Sequence, residues 1–159
     1  MNTYKFPQVT GKNLLRQTIN LPEGLQGRYN LVIIPFYQWH QWTVDTWIPT
    51  ARRLEQEYLG FCYYELPTIR RMNYLSRGFI NEGMRMGIPG KTTRERTITL
   101  YLDKKSFRRD LGIPHEEDVF AILIDQQGNI LWRSDGEYSP EKGASLEDLL
   151  KELISTPVH

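Results

Sequence analysis

Runs of apolar residues, separated by turn-forming residues, divide this chain into alternating strand and helix segments. The run Leu31–Ile34 has no polar interruption and is predicted to be a strand that is buried on both faces. The following segment, residues 43–58, has apolar residues at helical spacing and contains Pro49, at which a kink is expected. A buried strand, a loop rich in tryptophan and a helix therefore follow one another.

The rest of the chain alternates in the same manner. Strands are predicted at residues 13–20, 60–67, 97–102, 119–124 and 130–133, and helices at 68–83, 104–110 and 145–153. Thr68 and Ser145 are the expected N-caps of two of these helices, and Gly128 lies in a hairpin turn between the last two strands. Since strands joined through helices pair in parallel, the pattern predicts an α/β sandwich with a mixed central sheet, an additional N-terminal strand and flanking helices.

The length of the chain, 159 residues, suits one domain. Residues 1–12 are predicted to be a loose N-terminal arm, residues 13–154 a single domain and residues 155–159 a C-terminal tail. No apolar run is long enough to span a bilayer, and the first residues lack the apolar segment of a secretory signal. The expectation is a soluble, intracellular protein, with the cytoplasm as the first choice of compartment.

The formal net charge of +1 conceals an uneven distribution. Residues 69–109 carry eleven basic and three acidic side chains, whereas residues 110–159 carry three basic and eleven acidic ones. This asymmetry would suit an anionic partner such as nucleic acid or acidic lipid. The contacts for that alternative would be Arg70, Arg77, Arg94 and Arg108. The other interpretation is that the two segments face each other or remain solvated as separate faces.

The best defined motif spans residues 122–137 and reads Ile-Leu-Ile-Asp-Gln-Gln-Gly-Asn-Ile-Leu-Trp-Arg-Ser-Asp-Gly-Glu. It resembles the Leu-Val-Asp, Gly-x-Ile-Arg-Trp, Gly run of the mitochondrial ATP synthase (ATPase) assembly factors. The resemblance implies a thioredoxin-like fold, as in those chaperones, and a protein client such as a membrane subunit of ATP synthase. It would place the protein in mitochondria or at a membrane surface. The chain departs from that family at Leu131-Trp132-Arg133, where the family tends to have Arg-Trp.

The thioredoxin plan places a Cys-x-x-Cys motif in the turn between the buried strand and the helix. In this chain those positions fall on His40 and Thr43, or on Gln41 and Val44 if the alignment moves by one residue. Thiol–disulfide exchange needs a thiolate, and neither pair supplies one. The second hallmark of that plan is a cis-proline, and its position falls on Val119, where a trans peptide bond is expected.

Other chemistry has weak support in the sequence. Cys62 is the only cysteine and lies in a predicted aromatic strand without a basic neighbour, so a buried, inert thiol is expected. A weak thiol peroxidase or oxidoreductase that uses this thiol is the alternative. His40 could act as a base with Asp45, but a single histidine among tryptophans is more often a stacking partner. His115 and the acidic residues after it lack a spaced partner for a metal site. We therefore expect no catalytic residue, no metal and no cofactor.

The sequence is best interpreted as that of a non-catalytic binding protein, a chaperone or assembly factor, which holds a protein client through its aromatic loop. The candidate contacts are Tyr37, Trp39, His40, Gln41, Trp42, Thr43, Trp47 and Val119. An aromatic surface suits an apolar or extended segment. Burial in the core is the alternative for Trp47 and one other tryptophan. Nucleic acid is not the expected partner, since no binding motif for RNA or DNA is present.

Overall fold

The computed structural model describes residues 4–70 and 95–155, with only the backbone of Arg70. Its strands are β1 (Val9–Asn13), β2 (Thr18–Leu21), β3 (Tyr29–Ile34), β4 (Phe61–Glu65), β5 (Thr68–Arg70), β6 (Ile98–Leu102), β7 (Phe120–Asp125) and β8 (Ile130–Asp135). Its helices are a 3-10 turn (Gln38–His40), α1 (Gln41–Glu57), α2 (Lys104–Leu111) and α3 (Pro140–Ser155). None of the helices in residues 4–70 and 95–155 combines the length and the hydrophobicity that a membrane span requires.

The strands form two four-stranded groups, in the orders β2-β1-β6-β5 and β4-β3-β7-β8. The chain from β4 to β5 connects them, because Glu65 pairs with Thr97 in a parallel bridge and the Leu100 N–H donates to the Pro67 carbonyl over 2.8 Å. Strand β3 is parallel to β4 and antiparallel to β7. The result is the mixed sheet that the sequence predicts.

Strand β3 lies at the centre of the molecule, and all six of its residues are buried. Leu31 and Ile33 pack with α1 and α3 on one face, whereas Val32 and Ile34 pack with α2 on the other. This confirms the prediction of a strand buried on both faces. Since successive side chains of a strand point to opposite faces, an uninterrupted apolar run is what a central strand requires.

The N-terminal region differs from the prediction. Strand β1, Val9–Asn13, overlaps the end of the predicted loose arm (residues 1–12), and the single strand expected at residues 13–20 is a β1–β2 hairpin. The Asn13 side-chain oxygen accepts hydrogen bonds from the N–H groups of Leu15 and Gln17, over 3.0 and 2.9 Å. These bonds close a turn in the middle of the predicted strand.

Two predicted helix starts are also wrong. Thr68 opens strand β5 instead of a helix, and its N–H donates to the Pro35 carbonyl over 3.0 Å. The rest of the predicted helix at residues 68–83 lies outside the described residues. Helix α3 begins at Pro140 rather than at Ser145, because Ser139 accepts a hydrogen bond from the Lys142 N–H and proline is favourable in the first helical turn.

The C-terminal hairpin was predicted correctly. Strands β7 and β8 pair antiparallel around a turn in which Gly128 has a φ of 89°. The Asp125 carboxylate accepts hydrogen bonds from the N–H groups of Gln127 and Asn129, over 3.0 and 2.9 Å. The turn is therefore specified locally, which is why the sequence shows it.

Candidate functional site

The loop between β3 and α1 lies against the segment that leads into β7. The Tyr37 hydroxyl donates to Glu116 over 3.0 Å, and Lys104 on α2 donates to the Phe36 carbonyl over 2.9 Å. Antiparallel pairing of β3 with β7 brings these segments together, since Ile34 stands opposite Phe120. The loop is thus held by polar contacts at the end of the central strand.

His40 is buried and connects the two segments. The Phe36 N–H donates to His40 Nδ1 over 2.9 Å, so the ring proton lies on Nε2, which donates to the Glu117 carbonyl over 3.1 Å. Burial is the largest cause that lowers the pKa of His40 below its ordinary value. Both ring nitrogens are therefore occupied by backbone groups, and His40 braces the loop instead of contacting a client at the surface.

Three aromatic side chains of the loop and of the first turn of α1 project into solvent, and we call them the aromatic platform: Tyr37, Trp39 and Trp42. Their exposed fractions are 44%, 65% and 84%. The Trp39 ring is parallel to that of Tyr37, with centroids 5.7 Å apart, and meets His40 edge-on at 4.2 Å. Trp39 and Trp42 are three residues apart on consecutive helical turns, which places them on the same side.

The other predicted contact residues divide into surface and core. Gln41 is exposed and Thr43 is half-buried. Trp47 and Val119 are buried, so neither can contact a client, and their assignment as contacts is corrected. Trp47 donates from Nε1 to the Gly136 carbonyl over 2.9 Å and packs edge-on against Trp132 and Tyr138, which ties α1 to the turn after β8. The peptide bond before Val119 is trans, as expected.

The single thiol of the chain, Cys62, lies on β4 and is half-buried. Burial, and after it the charge of Glu55, raises the pKa of Cys62. A raised pKa leaves less thiolate at neutral pH, and the thiolate is the reactive form. This environment is the opposite of that around an activated cysteine.

Of the four basic residues predicted to contact an anionic partner, the structure describes the side chain of Arg108. Arg108 Nε lies 3.3 Å from a Glu116 carboxylate oxygen, and Nη1 donates to the Pro114 carbonyl over 3.1 Å. The basic helix α2 thus faces the acidic loop at this point, as one interpretation of the charge pattern expects. Arg77, Arg94 and the side chain of Arg70 lie outside the described residues.

Glu65, at the end of β4, is a feature that the sequence analysis missed. Only 8% of this residue is exposed, and burial raises its pKa to about 7. Gln41 Nε2 donates to Glu65 Oε1 over 3.2 Å and to Asp45 Oδ1 over 2.9 Å, while Glu65 Oε2 is buried without a partner in the described structure. A charged residue inside an aromatic strand was the available signal.

Glu65 borders a cavity of about 210 Å³ between α1 and the β4–β6 junction. The lining residues are Gln41, Asp45, Ile48, Arg52, Tyr63, Glu65, Arg96 and Thr97. Arg96 forms a two-pronged ion pair with Glu55 and lies over the Tyr63 ring, 4.2 Å from its centroid. Within residues 4–70 and 95–155, no three His, Cys, Asp or Glu side chains cluster as metal ligands would.

No known protein-family model matches this chain, and no curated protein matches its sequence. The comparisons therefore give no support to a specific resemblance to the ATP synthase assembly factors. The described fold, however, is similar to many solved structures.

Yeast Sco1 with copper bound is 12% identical, with a TM-score of 0.65, and the alignment covers 99% of this chain and 97% of that one. BsSco, described as a member of the Sco family of cytochrome c oxidase assembly proteins, is 12% identical with a TM-score of 0.64, over 97% and 95% of the two chains. The exposed lipoprotein thioredoxin Etrx1 from Streptococcus pneumoniae is 13% identical with a TM-score of 0.59, over 92% and 99%. The chain therefore has a thioredoxin-like α/β fold.

Proposed function

We propose that this chain is a non-catalytic binding protein, a chaperone or assembly factor, which holds a protein client on the aromatic platform. One observation carries the proposal. Tyr37, Trp39 and Trp42 project into solvent from the loop and the first turn of α1, where the thioredoxin plan has its redox cysteines, and this segment contains no thiol. Large aromatic side chains grouped on a surface are typical of interaction sites.

The platform is suited to an apolar, extended client segment. Covering exposed aromatic surface stabilises a complex by roughly 25 cal/mol per Å² of apolar area. Trp39 is already positioned by Tyr37 and the buried His40, so little side-chain freedom is lost when a client binds. The resemblance to the ATP synthase assembly factors suggests a membrane-protein subunit as the client, because such subunits expose long apolar segments during assembly.

The test measures binding of fluorescein-labelled twelve-residue peptides by fluorescence anisotropy. One peptide is apolar and extended, and a second is polar and of equal net charge. We expect the wild type to bind the apolar peptide and the double variant Trp39→Ala/Trp42→Ala to bind at least about tenfold more weakly, through loss of its hot-spot side chains. Leu59→Ala is the matched control, since Leu59 is 96% exposed but lies at the other end of α1.

Equal binding by the wild type and the double variant, with unchanged circular dichroism, would contradict the platform. A salt titration separates it from the anion-binding alternative. Contacts to phosphate release counterions, so binding of an oligonucleotide or of anionic vesicles falls steeply between about 0.05 and 0.5 M salt. Binding of an apolar peptide to the platform changes little over this range.

A further inference from the structure

The cavity beside Glu65 has unused hydrogen-bonding capacity. Gln41 Nε2 has two protons, and it donates to one oxygen of Glu65 and to one oxygen of Asp45. The second oxygen of Glu65 is buried and has no partner within the described residues. A buried polar atom without a hydrogen bond is costly, so its retention points to a group that binds there.

We propose that this cavity is a subsite for a primary ammonium group. The group is carried either by a lysine side chain of the client, in which case the inference rests on the proposed function, or by a free small amine. An ammonium group has three donors and can bond both to the unpartnered oxygen of Glu65 and to the second oxygen of Asp45. The apolar walls at Ile48 and Tyr63 suit the methylene chain that carries it.

The charges around the cavity favour a cation. Glu55 neutralises Arg96 through its two-pronged ion pair, and the ring of Tyr63 covers the Arg96 guanidinium. Arg52 also lines the cavity and makes no ion pair within residues 4–70 and 95–155, so its charge opposes a cationic ligand. Asp45 and an ionised Glu65 together outweigh it.

The position of the cavity connects it to the platform. Asp45, which accepts a hydrogen bond from Gln41, lies three residues after Trp42 on α1, so these two side chains lie on the same side of the helix. An apolar client segment on the platform can therefore place a neighbouring side chain in the cavity. A client with a lysine next to its apolar residues could bind the platform and the cavity at the same time.

Ammonium binding requires Glu65 to be ionised. Burial and the charge of Asp45 raise the pKa of Glu65 to about 7, while the Gln41 hydrogen bond opposes this. The other charged groups at the cavity are Arg52 and Glu55 on α1 and Arg96 ahead of β6. A bound cation favours the ionised form, so binding releases a proton near neutral pH and weakens about tenfold from pH 8 to pH 6.

In the first arm of the test, the full chain is titrated with n-butylamine. Binding is monitored through the side-chain amide signals of Gln41 in NMR spectra. We expect saturable binding with a Kd of about 1–10 mM at pH 8, and none with n-butanol, which has the same apolar chain but no charge. Glu65→Gln and Asp45→Asn should each weaken binding about tenfold. Glu57→Gln is the matched control, because Glu57 is an exposed carboxylate on the same helix.

Arg52→Gln distinguishes a cationic ligand from an anionic one. Removal of this charge strengthens binding of n-butylamine severalfold if the site takes a cation. Weaker binding in Arg52→Gln, or binding of acetate in place of the amine, would overturn the proposal. If Glu65→Gln does not fold, Asp45→Asn still tests the proposal. Asp45 is exposed, so its substitution should not disturb folding.

The second arm uses the apolar peptide of the platform assay, with either lysine or norleucine at each position in turn. A preference for lysine that disappears in Asp45→Asn supports the subsite and assigns it to a client side chain. Binding of n-butylamine without any peptide binding supports the subsite, assigns it to a free amine and overturns the proposed function. Peptide binding that depends on Trp39 and Trp42 but not on lysine, with no n-butylamine binding, overturns the subsite alone.

Discussion

At the scale of single residues, His40 shows how burial changes the role of a side chain. In the sequence it is a polar residue between two tryptophans and a candidate client contact. In the structure its ring holds Phe36 and Glu117 together, and the exposed Trp39 packs on it. The residue that supports the platform is therefore buried beneath it.

The lowered pKa of His40 predicts a dependence of stability on pH. Well above pH 6.5, for example at pH 8, the ring is neutral in the folded and unfolded chain, and both hydrogen bonds are intact. As the pH falls below this value, the unfolded chain takes up a proton more readily than the folded one, so the contribution of His40 to stability declines. His40→Ala should therefore cost about 2 kcal/mol at pH 8, since the buried Phe36 N–H and the partly buried Glu117 carbonyl lose their partner, and less at pH 5.5.

Urea denaturation of the wild type and His40→Ala at both pH values checks this prediction. The difference between the two proteins is the quantity of interest, because the raised pKa of Glu65 lowers stability as the pH rises through about 7, in the opposite sense. A cost of His40→Ala that is the same at pH 8 and pH 5.5 would contradict the neutral, doubly bonded ring.

At the scale of elements, the boundaries were decided by capping groups rather than by hydrophobic periodicity. Both Ser139 and Ser145 can cap a helix, and the Ser-x-x-Asp pattern with the leucines after it favours Ser145. In the structure Ser139 is the residue before the helix, whereas Ser145 lies within α3 and accepts a hydrogen bond from Trp132 Nε1 over 3.0 Å. The contact with Trp132 exists only when β8 and α3 are packed together.

The capping role of Ser139 predicts the result of a paired substitution. Ser139→Ala should lower the free energy of unfolding by about 1 kcal/mol, because the first turn of α3 loses an acceptor. Ser139→Asp should retain the stability, since aspartate is an equally good N-cap. Chemical denaturation monitored by circular dichroism measures both, and an unchanged Ser139→Ala variant would show that the cap does not stabilise α3.

At the scale of the whole molecule, the sheet brings the aromatic loop into contact with supporting residues that are distant in sequence. The platform is held by contacts between residues 36–42 and residues 104–117, and these contacts follow from the pairing of β3 with β7. The only thiol lies on β4, outside this loop. The fold is thioredoxin-like, whereas the exposed side chains after β3 are aromatic and none is a thiol.

An activity assay on the wild type and Cys62→Ser tests whether the molecule has any thiol chemistry. We expect the wild type not to accelerate the reduction of insulin by dithiothreitol, measured by turbidity, because the pKa of the half-buried thiol is raised and no second cysteine can resolve a mixed disulfide. Cys62→Ser should behave identically and retain peptide binding at the platform. Insulin reduction or peroxide consumption that Cys62→Ser abolishes would contradict a non-catalytic role.

The sequence alone determined the features that depend on local pattern. The uninterrupted run in β3, the periodicity of α1 and the Gly128 turn are visible because burial and turn geometry impose them on neighbouring residues. Together they were enough to predict the α/β sandwich. The thioredoxin-like fold was what the family resemblance implied, and the absence of a Cys-x-x-Cys motif is visible directly in the sequence. Tyr37, Trp39 and Trp42 are candidates for the same reason, since they cluster along the chain, and the structure shows that they are exposed. Their contact with a client stays a prediction.

Only the tertiary structure decided which of the candidate side chains are exposed. Trp42 and Trp47 are five residues apart on one helix, yet one is 84% exposed and the other is fully buried against β8 and its following turn. Periodicity cannot assign these faces with certainty when aromatic residues occur on both sides of a helix. The burial of His40 and Glu65 likewise depends on strands and loops that are distant in sequence, because the polarity of their surroundings is a property of the packed molecule.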